Sequence, residues 1–193
     1  MANPDGLSQD DVDRAVSFLR SHSAEQIPHV GGMLLPHLEG TCELLRTWGD
    51  SAELCLAGLC HTAYGTDGFP HPFVAPTERA SLESVIGAEA ERIVYFYGSC
   101  DRAFLYPRLV NGETGTQYRD RFTGTVFEPE PSLYRAFLEV TFANELEIFR
   151  RTPRIPWRVK RHWRAIFAPC WGLVSDAAFA SYVETLGVRP SNA

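Results

Sequence analysis

Three of the six histidines fall early in the chain, in Pro28-His29, Pro36-His37 and Cys60-His61-Thr62. Imidazole titrates nearer neutrality than any other side chain, so histidines brought together can pass protons or hold a metal. The pattern predicts His37 at the start of one helix and His61 at the end of the next. Two antiparallel helices joined by a short turn bring those ends together, so the pair can face one another across 24 positions of sequence. The run after His61, Thr62-Ala63-Tyr64-Gly65-Thr66-Asp67-Gly68, adds hydroxyls, a phenol and backbone N–H groups for a ligand. A lone histidine at a helix end is more often a cap or a surface group. The weight therefore rests on the pair, with His29 as its third member. His22, His71 and His162 have no such support and read as surface.

The elements that must position these groups are legible from caps and stripes. Ser8 and the acids Asp10 and Asp11 begin a helix whose apolar stripe is Val12, Ala15, Val16 and Leu19. A turn follows through Pro28, Gly31 and Gly32. The next helix starts near Met33 or Leu34, because Pro36 is tolerated only in a first turn, and Gly49 ends it. Ser51 caps a helix running to His61, and Gly65, Gly68, Pro70 and Pro72 impose a loop. Thr77 is the expected cap of a helix with Leu82, Val85 and Ile86, interrupted at Gly87. Ile93–Tyr97 is β-branched and aromatic, but acids at helical intervals favour helix there. Residues 107–131 read as irregular around Gly112, Gly115, Gly124, Pro129 and Pro131, with Phe122–Phe127 as a short hairpin arm. A long helix spans Ser132 to about Arg150 and stops at Pro153 and Pro156. Two more cover Trp157–Phe167 and Trp171–Leu186. The expected fold class is all-α, a helical bundle with one small β-hairpin arm, in one domain over 1–193.

Bulk properties narrow the function classes. The chain has 193 residues, is 45% hydrophobic and carries a formal charge of −6, which disfavours nucleic acid and anionic membranes as partners. It contains no apolar run long enough to span a bilayer, and Met1–Gly6 lacks the layout of a signal peptide, so a cytoplasmic location is expected. The five cysteines include no Cys-x-x-Cys pair and read as reduced, buried thiols. The run Arg150, Arg151, Arg154, Arg158, Lys160, Arg161 and Arg164, with Trp157 and Trp163, is basic. Prolines break it and no nucleic-acid reader motif accompanies it, so it reads as structural or as a homo-oligomer interface.

A histidine on one helix, a histidine closing the next after Ala57-Gly58-Leu59, and a small-polar-x-Leu motif on a later helix resemble the HD superfamily of helical metal-dependent domains. In that pattern the later pieces read His-Asp and Ala-Asp-x-Leu. Here they read His61-Thr62 and Ala143-Asn144-Glu145-Leu146. More closely, His37-Leu38-Glu39-Gly40-Thr41, the run Gly58-Leu59-Cys60-His61-Thr62-Ala63-Tyr64-Gly65-Thr66, Ser99-Cys100-Asp101-Arg102 and Ala143–Glu147 look like a branch of HD-like proteins known mainly as a domain of unknown function. The resemblance covers residues 29–150. It implies an HD-like helical bundle and candidate positions, without a reaction.

Both departures remove a carboxylate, which a divalent metal wants beside imidazole. Glu147, one turn from Asn144, can restore one acid, and His29 can add an imidazole. The expectation is therefore a small-molecule metabolic enzyme of lyase, isomerase or cyclase type. His37, His61 and Glu147 would be catalytic; His29, Thr62, Tyr64, Thr66, Arg102 and Asn144 would contact substrate. No cofactor is assigned. The alternatives are a metal-dependent phosphohydrolase or iron oxygenase of HD type, with His37 and His61 on the metal, and a non-catalytic ligand-binding domain.

Overall fold

The computed structural model describes residues 6–113, 117–152 and 154–187. The expectations placed on residues 1–5, on Gly115 and on Pro153 lie outside these residues. Ser8 opens the first helix, α1 (Gln9–Ser21), with its Oγ accepting from the Asp11 backbone N–H at 3.1 Å. The expected turn around Pro28 is a small antiparallel ribbon, β1 (Pro28–His29) with β2 (Gly32–Met33). Gly31 at φ +80° supplies the left-handed position of its two-residue loop. The ribbon sets His29 just ahead of α2 (Leu34–Trp48), which has Pro36 in its first turn and stops at Gly49, φ +82°. Ser51 caps α3 (Ala52–Cys60), and His61 follows as the C-terminal cap residue.

Beyond the loop lie α4 (Arg79–Ile86) and α5 (Ala88–Gly98), divided at Gly87. Thr77 is not the cap of α4. The chain turns at Pro76, with the Glu78 N–H donating to Ala75 O at 2.8 Å, so the helix begins later, at Arg79. The 107–131 stretch is more ordered than its glycines and prolines suggest. A helix, α6 (Arg102–Val110), runs through Pro107. Its missing N–H and its ring bulk hid the helical pattern. The hairpin is β3 (Tyr118–Arg119) with β4 (Val126–Phe127), pairing Tyr118 with Phe127. Phe122–Phe127 thus contains the turn and one strand, while the other strand lies earlier. Asp120 ties the turn, its Oδ1 accepting from the N–H groups of Phe122 and Thr123.

The long helix α7 (Pro131–Arg151) is the axis of the structure. It packs against α2, α3, α5 and the last helix, α9 (Asp176–Leu186). A single apolar face does not describe it, since every side chain from Phe137 to Glu147 is buried. A helix enclosed on all sides is normally apolar throughout. This one carries Glu139, Asn144, Glu145 and Glu147 into the interior, and the last three reach one region. Between α7 and α9 lies α8 (Trp157–Phe167). The final helix starts at Asp176, capped by Ser175, rather than at Trp171, which is exposed. The fold is all-α, with nine α-helices and two small hairpins among the described residues. None of these helices is long and apolar enough to cross a membrane. All five cysteines are buried and unbridged. The basic run is partly structural: Arg164 Nε donates to Leu186 O at 3.0 Å at the end of α9, and Arg158 and Arg161 lie over the Trp157 ring.

The start of α6 fixes where Arg102 stands. Asp101 Oδ1 accepts from the Phe104 N–H at 2.8 Å, and Oδ2 pairs with Arg119 of β3 at 2.7 Å, so Asp101 and Arg102 do not pair with each other. Asp101→Ala removes both a helix cap and an ion pair. It should destabilise the protein by roughly 1–2 kcal/mol. Urea unfolding compared with wild type checks this, and an unchanged midpoint would contradict the capping role.

Candidate active site

The three early histidines form a column. The rings of His29 and His37 stack with centroids 4.2 Å apart, and His61 meets His37 edge-on at 5.5 Å. Tyr97 of α5 extends the column, 5.2 Å from His61. His37 and His61 are fully buried and His29 is half-buried. His71 and His162 are exposed, and His22 is half-buried with Nδ1 bonded to Phe18 O.

His37 is bonded at both ring nitrogens. Nδ1 is hydrogen-bonded to Glu147 Oε2, and Nε2 lies 2.9 Å from Asn144 Oδ1. The Asn144 amide nitrogen donates to Glu145 Oε1 at 2.8 Å, which turns its oxygen towards His37. Two oxygen acceptors call for two ring hydrogens, so the bonding fits an imidazolium beside a carboxylate. Glu147 is steadied by Arg151, one turn on, at 2.9 Å. Gly40 makes room for this contact. A Cβ at that position would stand 2.7 Å from Glu147 Oε1 and 2.9 Å from its Cγ.

His61 is a different species. Its Nδ1 donates to the Gly58 carbonyl at 2.7 Å, because a carbonyl can only accept. The lone pair therefore sits on Nε2, which has no hydrogen-bond partner among the described residues. Burial, then the charge on His37, holds His61 well below the usual histidine range. The same two causes bring His29 down to about 4. Both are neutral bases at physiological pH.

A cavity of about 450 Å³ opens beside this column, lined by His29, His61, Thr62, Thr66, Gly68, Phe69, Tyr97, Arg102, Asn144 and Glu145 among others. Burial raises the Glu145 carboxyl from the ordinary 4.5 to about 7, with Arg102 pulling the other way. Arg102 Nη2 donates to the Tyr97 phenol at 3.1 Å, and its Nε has no partner. The Thr62 hydroxyl is likewise buried without a partner.

The structure thus brings His29, His61, Thr62, Thr66, Arg102 and Asn144 to one cavity. His37 and Glu147 stand behind them as a buried pair. Tyr64 is elsewhere: its OH donates to Glu91 at 2.5 Å, in a network with Arg79 that anchors the loop to α5 and α4. Sequence reasoning missed Glu145 and Tyr97. Glu145 stands inside the Ala143–Leu146 motif with nothing to single it out from Asn144 and Glu147. Tyr97 ends the apolar, aromatic run Ile93–Tyr97, where nothing marks its phenol for a site.

Both His37 nitrogens and His61 Nδ1 are engaged in hydrogen bonds, and among the described residues no three His, Cys, Asp or Glu side chains are grouped to hold an ion.

One protein-family model, described as Domain of unknown function (DUF6817), matches residues 18–102. No curated protein and no solved structure matches the chain. The matched segment holds the histidine column, Tyr97 and Arg102, and stops short of α7.

Two measurements probe this geometry. Gly40→Ala should push Glu147 off His37, destabilise the protein by about 1–3 kcal/mol and remove the low-field imidazole Nδ1–H resonance. A retained resonance at wild-type stability would show that Gly40 is not making room. Glu145 has a raised pKa in the folded state, so its contribution is fully present below about 4.5 and is lost as pH rises through about 7. Glu145→Gln should flatten that loss and gain roughly 2–3 kcal/mol over wild type between pH 5 and pH 8. Parallel urea curves at the two pH values decide it.

Proposed function

We propose that the chain is a small-molecule enzyme that moves protons between His61, Glu145 and an organic metabolite, in an isomerisation, cyclisation or elimination. The supporting observation is the pairing, at one 450 Å³ cavity, of a neutral imidazole with a free lone pair and a carboxyl held at about 7. A cavity of that size encloses a small metabolite. Two groups whose environments separate their protonation states are the usual basis of acid–base chemistry near neutrality.

In this reading His61 Nε2 takes a proton from the substrate while Glu145, protonated, delivers one elsewhere on it. The return transfer resets both. His37 and Glu147 do not exchange protons with the substrate. The charge on His37 opposes a second charge on His61 and so keeps its lone pair available. Arg102 and the Tyr97 phenol face the negative charge that builds up when a proton leaves carbon. This reading moves the catalytic weight from His37 and Glu147, expected from the sequence, to His61 and Glu145. Thr62, Thr66 and His29 remain substrate contacts; Tyr64 becomes a scaffold residue.

Proton abstraction from carbon can be seen without knowing the product. Incubating a panel of small metabolites with the protein in D₂O, and following C–H loss by NMR, should reveal deuterium entry into at least one. His61→Ala and Glu145→Gln should each slow that entry by about 100-fold or more, whereas Tyr64→Phe should lower stability and leave the rate per folded molecule unchanged. Equal exchange by wild type and both site variants would sink the proposal.

A further inference from the structure

Arg102 presents a physical problem that the proton chemistry alone does not resolve. Its guanidinium stands at the cavity wall with Nε buried, close enough to Glu145 to lower that carboxyl. Yet it forms no ion pair with any carboxylate among the described residues. Asp67, the nearest acid in hydrogen-bond terms, accepts from the Arg102 backbone N–H at 3.0 Å and leaves the side chain alone. The guanidinium makes one hydrogen bond, to the neutral Tyr97 phenol, and its Nε makes none. Gly68, also on the cavity wall, leaves open the space beside it: a Cβ there would stand 3.1 Å from Nη1. A half-buried cation whose buried Nε–H has no partner is costly to keep, and an anion arriving at the cavity would offset that cost.

Other features of the chain point less far. Nothing indicates what would occupy the groove lined by Leu7, Val12, Glu39 and Glu43, or what would cover the exposed Trp157 and its arginines.

Building on the proposed acid–base reading, we propose that the substrate is a small organic acid, whose carboxylate is received by the Arg102 guanidinium and the Thr62 hydroxyl. Guanidinium is shaped for carboxylate, with parallel N–H donors. Thr62 Oγ1, like Arg102 Nε and His29 Nδ1, is a buried polar atom at this cavity without a partner, and a hydroxyl donates readily to a carboxylate. Glu145 does not repel the incoming anion, because a carboxyl held at about 7 can take up a proton as the second negative charge arrives. It then stands in the acid form that the proton-transfer step requires. Its other neighbours, Tyr97 from α5, Tyr106 from α6 and Asn144 from α7, bring no further negative charge, since burial keeps both phenols protonated. A carboxylate next to the reacting carbon also explains the choice of site chemistry: it pins one end of the molecule while His61 addresses a neighbouring C–H.

The test uses the full chain with propionate and benzoate, their neutral amides propionamide and benzamide, and inorganic phosphate. Calorimetry and thermal shift should show binding of at least one carboxylate, at least 10-fold weaker binding of its amide, and little response to phosphate. Arg102→Met should weaken the carboxylate by 10-fold or more, and Arg102→Lys should restore part of it. Should Arg102→Met fail to fold, Thr62→Val gives the second reading, with a several-fold loss expected. Amides that bind as well as acids, phosphate that binds while carboxylates do not, or carboxylate affinity unchanged in folded Arg102→Met would each overturn the inference. Carboxylate binding with this Arg102 dependence, without any deuterium exchange, would uphold the ligand class and sink the catalytic reading. His61-dependent exchange into neutral metabolites alone would do the reverse.

Discussion

The contact between His37 on α2 and Glu147 on α7 organises everything around the cavity. It joins two helices that meet closely only because residue 40 is glycine, one turn beyond His37, where any Cβ would strike the Glu147 side chain. Burying such a pair takes two charges out of water, and the attraction between them offsets that cost only when the remaining donors and acceptors are also satisfied. Here they are: Asn144 takes the second ring nitrogen and Arg151 the second carboxylate oxygen. The arrangement is therefore demanding to fold and hard to alter one residue at a time. Losing Glu147 would leave an uncompensated charge, whereas a histidine on the surface could lose its partner at little cost.

The chemistry at the cavity follows from that buried charge. His29 and His61 lie on either side of His37, and both are pushed towards the neutral form by burial and by its charge. Of the three histidines in contact, His37 is hydrogen-bonded at both ring nitrogens, while His29 and His61 are held as neutral bases. The Gly58 carbonyl completes the assignment by fixing which nitrogen of His61 carries hydrogen. The loop after His61 is held in place from outside the cavity, by Tyr64 on Glu91 and by the Phe73 and Val74 N–H groups on Ala63 O. Much of the glycine- and hydroxyl-rich motif is therefore a clamp. Gly65, at φ +66°, turns the chain back, and only Thr62 and Thr66 of its side chains reach the cavity lining.

The facing of His37 and His61 was legible in sequence because caps and glycines mark helix ends, and helix ends joined by a short turn have few ways to meet. The neighbourhood of Asn144 and Glu147 was legible for a similar reason, since three residues on a helix nearly complete one turn. Glu145 was not. A periodicity argument assigns one face of a helix to the core and the other to water, and so consigns the residue next to Asn144 to the surface. That logic fails for a helix surrounded on every side. Nor did the sequence expose α6, where Pro107 interrupts the pattern in the same helix that presents Arg102. Tyr64 and Tyr97 illustrate the remaining limit. Both are tyrosines among apolar neighbours, and only tertiary packing sends one hydroxyl to a scaffold carboxylate and the other to a guanidinium at the cavity.

The burial of α7 on all sides also explains how one helix can serve two purposes. Successive residues of an α-helix point about 100° apart. Asn144 and Glu147, separated by nearly a full turn, both reach His37. Glu145, turned away from them, lines the cavity near Arg102. On a helix with one face in solvent, one of those directions would lead to water and its acid would be an ordinary carboxylate. Enclosure changes that. It sets Glu147 between His37 and Arg151, while burial drives Glu145 towards its protonated form against the pull of Arg102. The amide of Asn144 links them, accepting from His37 and donating to Glu145. A substitution at Asn144 therefore reaches both halves of the site, disturbing the scaffold pair and the cavity acid at once.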